Sequence, residues 1–406
     1  MKILFSAYAC SPSKGSESEV GWRWGLEALK QGHDVYVITR KNNKDDIENY
    51  LKNTNKIQKL KFIYYDLPAW AMWWKKGSRG IRFYYLLWQI GAYLEAKKVH
   101  SKVKFECVHH VTFVSLRQPS FMGNLGIPFI FGPVGGGESA PWRLRYGYGF
   151  KGFFFDLMRD MSNFIIKFDP LMWLTFFQAN KIFVTSEQTK NLLPNIFKKK
   201  VSVQLAIGID SFKSKKCTQI NLSKNCNILY VGRFLDWKGM ALGFEAFASL
   251  LKKKPEVRLT LVGKGPEEMR WKKLAIKLGI SEKINWINWL KREELPKVFY
   301  KHDLFLYPSL HDSGAFVVLE AIAHGLPVVC LNLGGPGIIV DKTCGIAVPV
   351  IGRSKQEVVD SLTDGMFHII DNFNLYKCNS YTSRQKILKF SWKKIFLSIY
   401  NKGKIS

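Results

Sequence analysis

Two isolated carboxylates mark the stretch HDSGAFVVLEAIAHGLPVV, residues 311–329. Asp312 precedes Ser313, which can cap a helix, and Glu320 follows within an apolar run of helical spacing. The first N–H groups of such a helix are unpaired and attract an anion such as phosphate. They belong to Gly314, Ala315, Phe316 and Val317. Glu320 can accept hydrogen bonds from ribose hydroxyl groups. The pattern predicts a nucleotide-sugar site, although a surface loop before an ordinary helix is the simpler interpretation of this stretch alone.

A second loop supplies positive charge. In YVGRFLDWKGM, residues 230–240, Arg233 and Lys238 follow an apolar strand, Gly232 opens the turn, and Gly239 precedes the next helix. Two cations at the carboxyl end of a strand suit the binding of a diphosphate. The alternative interpretation is a pair of solvated surface cations, which are common in so basic a protein.

Two glycine-rich loops follow other apolar strands. VGKGP contains Gly263 and Gly265 but lacks the third glycine of a dinucleotide-binding fingerprint. GPVGGGESAPW, residues 132–142, has three consecutive glycines, which allow a mobile loop that a ligand can approach. We predict that this second loop contacts the acceptor or the sugar, with a flexible turn as the alternative. The candidate residues are Gly135, Gly136, Gly137 and Glu138.

Repeated strand–helix–strand units must position these loops. Residues 2–40 read as a short apolar strand, an amphipathic helix and a second apolar strand, and the same alternation returns after residue 225. Such units form parallel sheets that bind ligands at the carboxyl ends of their strands. The sequence therefore predicts an α/β protein with two Rossmann-like domains. The predicted segments are the domains 1–205 and 206–380, a lysine-rich connection at 210–227 and an amphipathic closing helix within 381–406.

The composition is globular, with an unusual charge. The 406 residues are 47% hydrophobic and 23% charged, and the formal net charge is +29. This balance argues against disorder, and the positive excess favours anionic partners such as nucleic acid, acidic lipid or a phosphorylated ligand. Seven cysteines without a C-x-x-C pair indicate the reduced thiols of a cytosolic protein. No D-x-D sequence occurs, so we expect no metal on a donor diphosphate and no cofactor.

Aromatic residues are mixed with basic residues in the segment 68–104, and a second aromatic-rich segment covers residues 146–177. Rings at the headgroup level and cations near acidic lipid suit a membrane surface, so we predict membrane-surface contact, with ordinary helix core as the alternative. Stacking on single-stranded nucleic acid is less favoured, because no nucleic-acid motif accompanies the rings. The uncharged stretches 118–137 and 321–340 are interrupted by proline and glycine, which makes them poor membrane spans.

The motifs of the second half together resemble those of glycosyltransferase family 4. VGRFLDWKG, LTLVGKGPE, INWINWLKREELPKVFYKHDLFLYPSL and HDSGAFVVLEAIAHGLPVV follow one another in the family's order. The first half is similar more loosely, through a GSE loop, a histidine pair, TSEQTKNLL and AIGID, and FSWKKIFLSIY resembles the family's closing segment. The resemblance implies retaining sugar transfer and the GT-B fold, in which two Rossmann-like domains face a cleft. It also implies that the last helix crosses back to the N-terminal domain.

The resemblance implies roles for four residues of the second half. Arg233 and Lys238 match the pair that neutralises the donor diphosphate, and Glu320 matches the carboxylate that holds the donor ribose. Asp312 matches a carboxylate near the donor sugar, at a position where the family usually has glutamate. The spacing is therefore an Asp-x7-Glu variant of the family's E-x7-E motif.

Three residues of the first half match the family as well. Gly15 and Ser16 match a loop whose backbone approaches the diphosphate. His110 matches a histidine that contacts the transferred sugar. His109 is the competing candidate for that contact, and a buried structural histidine is the alternative for either residue.

We therefore predict a retaining, metal-independent hexosyltransferase. It moves a sugar from a UDP-sugar or GDP-mannose to a saccharide or lipid-linked acceptor for a bacterial surface polysaccharide, such as lipopolysaccharide or capsule. The expected location is the cytoplasm, with peripheral association at the inner face of the cytoplasmic membrane. The alternatives are a catalytically impaired family member, a nucleotide-sugar epimerase of the same fold and, less favoured, a basic nucleic-acid-binding protein.

The predicted mechanism is attack by the acceptor hydroxyl on the face that the phosphate leaves, with the departing phosphate as the base. A double displacement through Asp312 is less favoured. The predicted partners are the nucleotide sugar, the acceptor and an anionic membrane surface, without nucleic acid. The predicted catalytic residues are Asp312, His110, Arg233 and Lys238, and the donor-binding set adds Gly15, Ser16, Gly263, Gly314, Ala315, Phe316, Val317 and Glu320.

Overall fold

A computed structural model describes two compact units. The described residues are 1–15, 17–54, 59–75, 77, 80–210, 226–378, 385 and 387–400. The first unit comprises residues 1–137, 161–208 and the C-terminal segment from Trp392, and the second comprises residues 138–160 and 209–391. The predicted connection at 210–227 lies almost wholly outside the described residues.

The first unit is built on a seven-stranded sheet. Its strands are β1 (Lys2–Ala7), β2 (Asp34–Arg40), β3 (Leu60–Tyr65), β4 (Cys107–Thr112), β5 (Phe129–Val134), β6 (Lys181–Val184) and β7 (Val201–Val203). Their order is β3-β2-β1-β4-β5-β6-β7, and neighbouring strands pair in parallel. The helices up to residue 208 are α1 (Glu17–Lys30), α2 (Lys44–Lys52), α3 (Ile81–Val103), α4 (Phe150–Ile165), α5 (Pro170–Gln178) and α6 (Glu187–Leu192).

The inner strands of this sheet are continuous apolar runs because both faces of the sheet are covered. Ile3, Leu4 and Phe5 of β1 are completely buried, and β4 and β5 are buried along their whole length. One face packs on α3, whose Tyr84 and Trp88 are also completely buried in the core. Among the described helices, none is long and apolar enough to cross a bilayer.

The second unit is built on a six-stranded parallel sheet. Its strands are β8 (Asn227–Val231), β9 (Arg258–Val262), β10 (Ile284–Ile287), β11 (Leu304–Tyr307), β12 (Val328–Leu331) and β13 (Gly345–Val348). Their order is β10-β9-β8-β11-β12-β13, which is the order of a doubly wound nucleotide-binding sheet. The helices are α7 (Met240–Lys253), α8 (Glu268–Lys277), α9 (Leu295–Tyr300), α10 (Phe316–Ala323), α11 (Gly334–Ile339), α12 (Lys355–Asp371) and α13 (Phe373–Cys378).

The last described helix, α14 (Trp392–Tyr400), belongs to the first unit. It packs on α1, with the Phe396 ring centroid 6.0 Å from that of Trp24. The predicted α/β class, the two Rossmann-like sheets and the returning C-terminal helix are confirmed. The chain passes from the first unit to the second after Gly208, close to the predicted boundary at residue 205. Residues 138–160 lie within the predicted N-terminal domain, but they belong to the second unit.

Candidate functional site

The strand order of the second sheet reverses between β8 and β11, which lie side by side with Ile228 opposite Leu304. Loops that leave two such strands diverge to opposite faces and open a crevice at the carboxyl edge of a doubly wound sheet. The loop after β8 carries Lys238, and the loop after β11 carries Asp312. The fold therefore brings the predicted cation loop and the predicted carboxylate loop to one place.

Lys238, Tyr307 and Asp312 form a polar cluster at this edge. Lys238 Nζ donates to Asp312 Oδ2 at 2.5 Å and to Tyr307 Oη at 2.6 Å. The Tyr307 hydroxyl donates to the same carboxylate oxygen, also at 2.5 Å. Lys238 ends a short 3-10 turn after β8, Tyr307 is the last residue of β11, and Asp312 lies in the next loop. One carboxylate oxygen thus joins the two loops through charge-assisted hydrogen bonds.

The other oxygen of Asp312 caps the chain at the start of α10. Oδ1 accepts hydrogen bonds from the backbone N–H groups of Gly314 and Ala315, both at 3.1 Å. These are two of the four N–H groups that we expected to face an anion. We expected Ser313 to cap this helix, but the side chain of Asp312 accepts these bonds. The expected anion site at this helix start is therefore partly occupied by the protein's own carboxylate.

The charge of Asp312 is strongly stabilised. Burial alone would raise the pKa of this carboxyl, but the Lys238 ammonium, the Tyr307 hydroxyl and the backbone N–H of Ala315 outweigh it. Together they hold the pKa of Asp312 well below its usual range. The carboxylate is ionised at neutral pH, and its two oxygens accept four hydrogen bonds in all.

Glycines let the loops around this cluster approach one another closely. Gly239 has a φ of +67°, and a Cβ there would lie 2.0 Å from the carbonyl oxygen of Pro308. Gly334, at the start of α11, has a φ of +52°, and a Cβ would lie 2.3 Å from the carbonyl oxygen of Asp312. The N–H of Gly335 donates to that same carbonyl at 2.7 Å. The start of α11 therefore holds the backbone of Asp312 in position.

The VGKGP loop after β9 supports the cation loop in the same way. A Cβ at Gly263 would lie 2.0 Å from the carbonyl oxygen of Gly232, and one at Gly265 would lie 2.2 Å from that of Phe234. The N–H of Phe234 donates to the carbonyl of Lys264 at 3.1 Å. These glycines thus allow the loop to pack against the backbone that carries Arg233.

Arg233 and Glu320 present side chains beside this framework. Arg233 is exposed and takes part in no ion pair within the described part of the chain, while its carbonyl accepts the Tyr230 hydroxyl at 3.2 Å. Glu320 is half-buried on the second turn of α10. An exposed guanidinium close to the Lys238 loop is suited to an anionic ligand.

The histidine pair lies inside the first unit. His110 is 1% exposed, and its Nε2 is 2.9 Å from Tyr85 Oη and 3.1 Å from Thr112 O. His109 is completely buried between Gly132 O and Tyr400 Oη. Burial lowers the pKa of His109 to about 3 and that of His110 to about 4, so both rings are neutral. This geometry does not support the predicted contact of His110 with a sugar, and it favours the buried structural histidine.

The remaining predicted residues of the first half belong to the loop before α1 and to the segment 135–138. Gly15 lies exposed in the loop before α1, and Ser16 lies outside the described residues. Gly135 pairs with Ser115 in a β-bridge, and the carbonyl of Gly136 accepts the Arg117 guanidinium at 2.8 Å. A Cβ at Gly137 would lie 2.8 Å from Thr189, and Glu138 is buried in the second unit. These contacts hold the three glycines against their neighbours, in contrast to the open loop that we expected.

Residues 138–160 support the site in a way that the sequence analysis missed. Asp156 of α4 lies 3.2 Å from His311 Nε2, and the His311 ring stacks on Trp237 with centroids 5.3 Å apart. His311 precedes Asp312 and Trp237 precedes Lys238, so this contact holds both site loops. Hydrophobic periodicity does not predict the contact of Asp156 with His311, because Asp156 is distant in sequence from both loops.

A further carboxylate pair lies beside Trp237. Arg270 Nη1 is 2.8 Å from Glu267 Oε2 and 3.1 Å from Asp236 Oδ1. Burial, followed by the charge of Asp236, raises the pKa of Glu267 to about 7. The N–H of Gly149 donates to Asp236 at 2.9 Å, which ties residues 138–160 to this corner as well.

The cluster can bind anions, and it offers no nucleophile with a free oxygen. Lys238 and Arg233 supply cations, whereas the carboxylate of Asp312 is engaged by neighbouring donors. Across the residues that the structure describes, no group of three or more histidine, cysteine, aspartate or glutamate side chains could hold a metal ion. This arrangement is suited to electrostatic stabilisation of a phosphate group.

The sequence matches a known enzyme family over residues 213–364, where the family Glycosyl transferases group 1 is recognised. An uncharacterised glycosyltransferase of Haemophilus influenzae is 27% identical over 215 residues, which are 52% of this chain and 58% of that protein. The first curated relatives are matched over less than two thirds of their own length. The cation and carboxylate loops both lie within the matched residues.

Two solved structures are similar over nearly the whole chain. Anabaena HepE in complex with UDP has a TM-score of 0.62 at 14% identity, with 99% of each chain covered. WaaG, a glycosyltransferase involved in lipopolysaccharide biosynthesis, has a TM-score of 0.58 at 15% identity, with 99% of this chain and 100% of that chain covered. At these identities the likeness concerns the fold, and it confirms the predicted GT-B class.

Proposed function

We propose that this protein is a glycosyltransferase that moves a sugar from a nucleoside diphosphate sugar to a saccharide or lipid-linked acceptor. The observation that carries the proposal is the cluster of Lys238, Tyr307 and Asp312 at the reversal of strand order. It lies within residues 213–364, the part that matches Glycosyl transferases group 1. The likeness to HepE, which was solved with UDP, supports a nucleotide donor.

The diphosphate of the donor would be bound by Arg233 and Lys238. An ammonium group has three N–H donors, and the described contacts of Lys238 use two of them, on Tyr307 and Asp312. The third donor and the exposed Arg233 guanidinium would neutralise the charge that develops on the departing diphosphate. This charge stabilisation supports a metal-independent reaction. Glu320 would hold the ribose.

In the retaining reaction that we propose, the state of Asp312 argues against a covalent intermediate on this carboxylate. A carboxylate whose two oxygens accept four hydrogen bonds, and whose pKa is far below its usual range, is a weak nucleophile and a weak base. We therefore favour attack by the acceptor hydroxyl on the face that the phosphate leaves, with the departing phosphate taking the proton. Asp312 would act by holding Lys238 and the start of α10 in position for the donor sugar.

The proposed acceptor belongs to a bacterial surface polysaccharide, such as lipopolysaccharide or capsule. The likeness to WaaG supports this choice, and the net charge of +29 supports peripheral association with an anionic membrane from the cytoplasmic side.

The first test is a thermal-shift screen with UDP, GDP and ADP and their common sugar conjugates. We compare wild type with the double variant Arg233→Ala, Lys238→Ala. The matched control is Lys252→Ala, Arg258→Ala, which removes the same two residue types from exposed positions at the end of α7 and at the start of β9.

We expect one base to raise the melting temperature of wild type and control, and the site variant to lose the shift. A ligand that binds only the folded state stabilises it, by an amount that grows with the logarithm of its concentration divided by Kd. Hydrolysis of the identified donor sugar then tests turnover. If no nucleotide shifts the wild type, or if the site variant responds as the wild type does, the proposed donor site is wrong.

A further inference from the structure

Helix α4 turns its polar side toward the protein. Asp156 and Asn163 are each only 4% exposed, and Arg159 and Asp160 are half-buried between them. Their spacing of three, four and seven residues places the four side chains on one face of a helix. Asn163 Oδ1 accepts a hydrogen bond from the Arg117 guanidinium at 2.6 Å. The inward face of α4 is thus held by polar contacts, which is the reverse of an ordinary surface helix.

The outward side of α4 is apolar. Phe150 is 89% exposed, Phe154 52%, Met161 52% and Phe164 62%. Their spacing of three, four and seven residues places them on the face opposite Asp156 and Asn163. A helix that faces water carries charged and polar residues on its outer side, because exposed apolar area is unfavourable in water. The polarity of α4 therefore fits a helix whose outer side meets an apolar medium.

This apolar surface continues beyond the end of α4. Phe168 is 71% exposed, and its ring centroid lies 5.7 Å from that of Phe164. On α5, Phe177 is 57% exposed. Soluble monomers rarely expose contiguous apolar patches larger than roughly a few hundred Å², and such patches mark contact with a membrane or a protein. We call the part of this feature that belongs to the first unit the outer surface, represented by Met161, Phe164, Phe168 and Phe177.

Lysines border the outer surface. Lys151 and Lys167 are exposed on α4 and on the turn after it. At the far end, the Phe197 ring centroid lies 4.9 Å from that of Phe177, and the three lysines that follow Phe197 are the run 198–200. Apolar rings bordered by cations complement the two layers of a bilayer surface, the acyl boundary and the anionic headgroups.

We propose that the outer surface inserts into the interfacial layer of a membrane that contains anionic lipid. The side chains of Met161, Phe164, Phe168 and Phe177 would lie at the acyl boundary, and Lys167, Lys198 and Lys199 would contact the headgroups. The purpose of this membrane contact rests on the membrane-associated acceptor of the proposed function. Lipid binding itself requires neither the donor nor turnover.

Vesicle flotation of the full chain tests the proposal. We compare vesicles of phosphatidylglycerol and phosphatidylethanolamine with vesicles of phosphatidylcholine, using wild type and Met161→Glu, Phe164→Glu. The matched control is Met269→Glu, Ile276→Glu, which places two acids at exposed apolar positions of α8, where Met269 is 66% and Ile276 is 69% exposed. We expect wild type and control to float with the anionic vesicles, and the outer-surface variant to lose about tenfold or more in partitioning, because charges oppose insertion.

Other outcomes would overturn the proposal. These are a wild type that floats with neither vesicle, an outer-surface variant that floats as well as the control, or a wild-type dimer that the variant converts to a monomer without any vesicle binding. The last result would identify the outer surface as an interface between copies. Melting curves and nucleotide shifts of the same variants report folding and the donor site separately, so failure of the donor proposal is distinguishable from failure of this one.

Discussion

At the scale of single residues, Asp312 links the charge of the site to its shape. One oxygen pairs with Lys238 and Tyr307, and the other caps the N–H groups of Gly314 and Ala315. Removal of the charge and removal of the cap are therefore different experiments. An asparagine separates them, because its side-chain oxygen can still accept from the backbone while its charge is gone.

We expect Asp312→Asn to lower kcat/KM by at least about tenfold, because Lys238 loses the partner that orients it toward the donor. The free energy of unfolding at pH 7 should fall by about 1–3 kcal/mol. Steady-state kinetics with the identified donor and urea unfolding measure the two effects. A variant with wild-type activity would contradict the assigned role of Asp312.

The stability difference should also depend on pH. The folded pKa of Asp312 is lowered below its unfolded value, so its stabilisation is fully present above the unfolded pKa of about 4 and is lost as pH falls toward the folded pKa. The gap between wild type and Asp312→Asn should therefore shrink on acidification below about pH 5. An equal gap at pH 7 and at pH 3 would show that the charge of Asp312 does not stabilise the fold.

At the scale of elements, the start of α11 sets the position of the Asp312 loop. Gly334 combines a φ of +52° with backbone 2.3 Å from its ideal Cβ position, whereas Gly352 has a φ of +77° and open space around it. Alanine should cost about 1–2 kcal/mol at either glycine because of the left-handed conformation. Only Gly334→Ala should also weaken nucleotide binding, because the added methyl group displaces the Asp312 backbone. Paired melting curves and nucleotide titrations of Gly334→Ala and Gly352→Ala test this, and equal titrations would contradict it.

The start of α8 should make stability depend on pH in the opposite sense. Glu267 has its folded pKa raised to about 7 by burial and by Asp236, so the folded state holds this proton more tightly than the unfolded state does. Stability contributed by Glu267 therefore declines as pH rises from about 4 to about 7. Glu267→Gln removes the penalty and should gain about 1 kcal/mol at pH 8 and almost nothing at pH 4.5.

Melting temperatures of Glu267→Gln at the two pH values measure this effect, with the exposed Glu282→Gln as the control. A gain that is the same at both pH values would show that hydrogen bonding, and not the ionisation of Glu267, is responsible.

At the scale of the whole molecule, the last helix stabilises the first unit across a long sequence separation. Phe396 is 1% exposed, and its ring contacts those of Trp24, His33 and Tyr400. Phe396→Ala should lower the free energy of unfolding of the first unit by about 3–5 kcal/mol, the usual cost of a large buried cavity. Hydrogen exchange of α1 in the full chain measures it locally. The exposed Lys393→Ala on the same helix should leave that exchange unchanged, and equal effects of the two variants would contradict the packing role.

The local order of apolar and polar residues was enough to predict most of the fold. Buried parallel strands are continuous apolar runs, and amphipathic helices follow them, so the alternation in the sequence predicts two doubly wound sheets. The same reasoning put Arg233 and Lys238 at the end of β8 and Asp312 after β11, because ligands bind at the carboxyl ends of parallel strands. These features depend on residues close together in the chain, and local pattern is where a single sequence is informative.

Only the tertiary structure decided which distant groups meet. It placed the Tyr307 hydroxyl between Lys238 and Asp312, buried His110, and joined residues 138–160 to the second unit. It also turned the polar side of α4 inward, although the sequence shows only that the helix has two sides. The physical reason is common to all four. Helical and strand periodicity specify which residues share a face, whereas contacts between elements distant in sequence specify what that face touches.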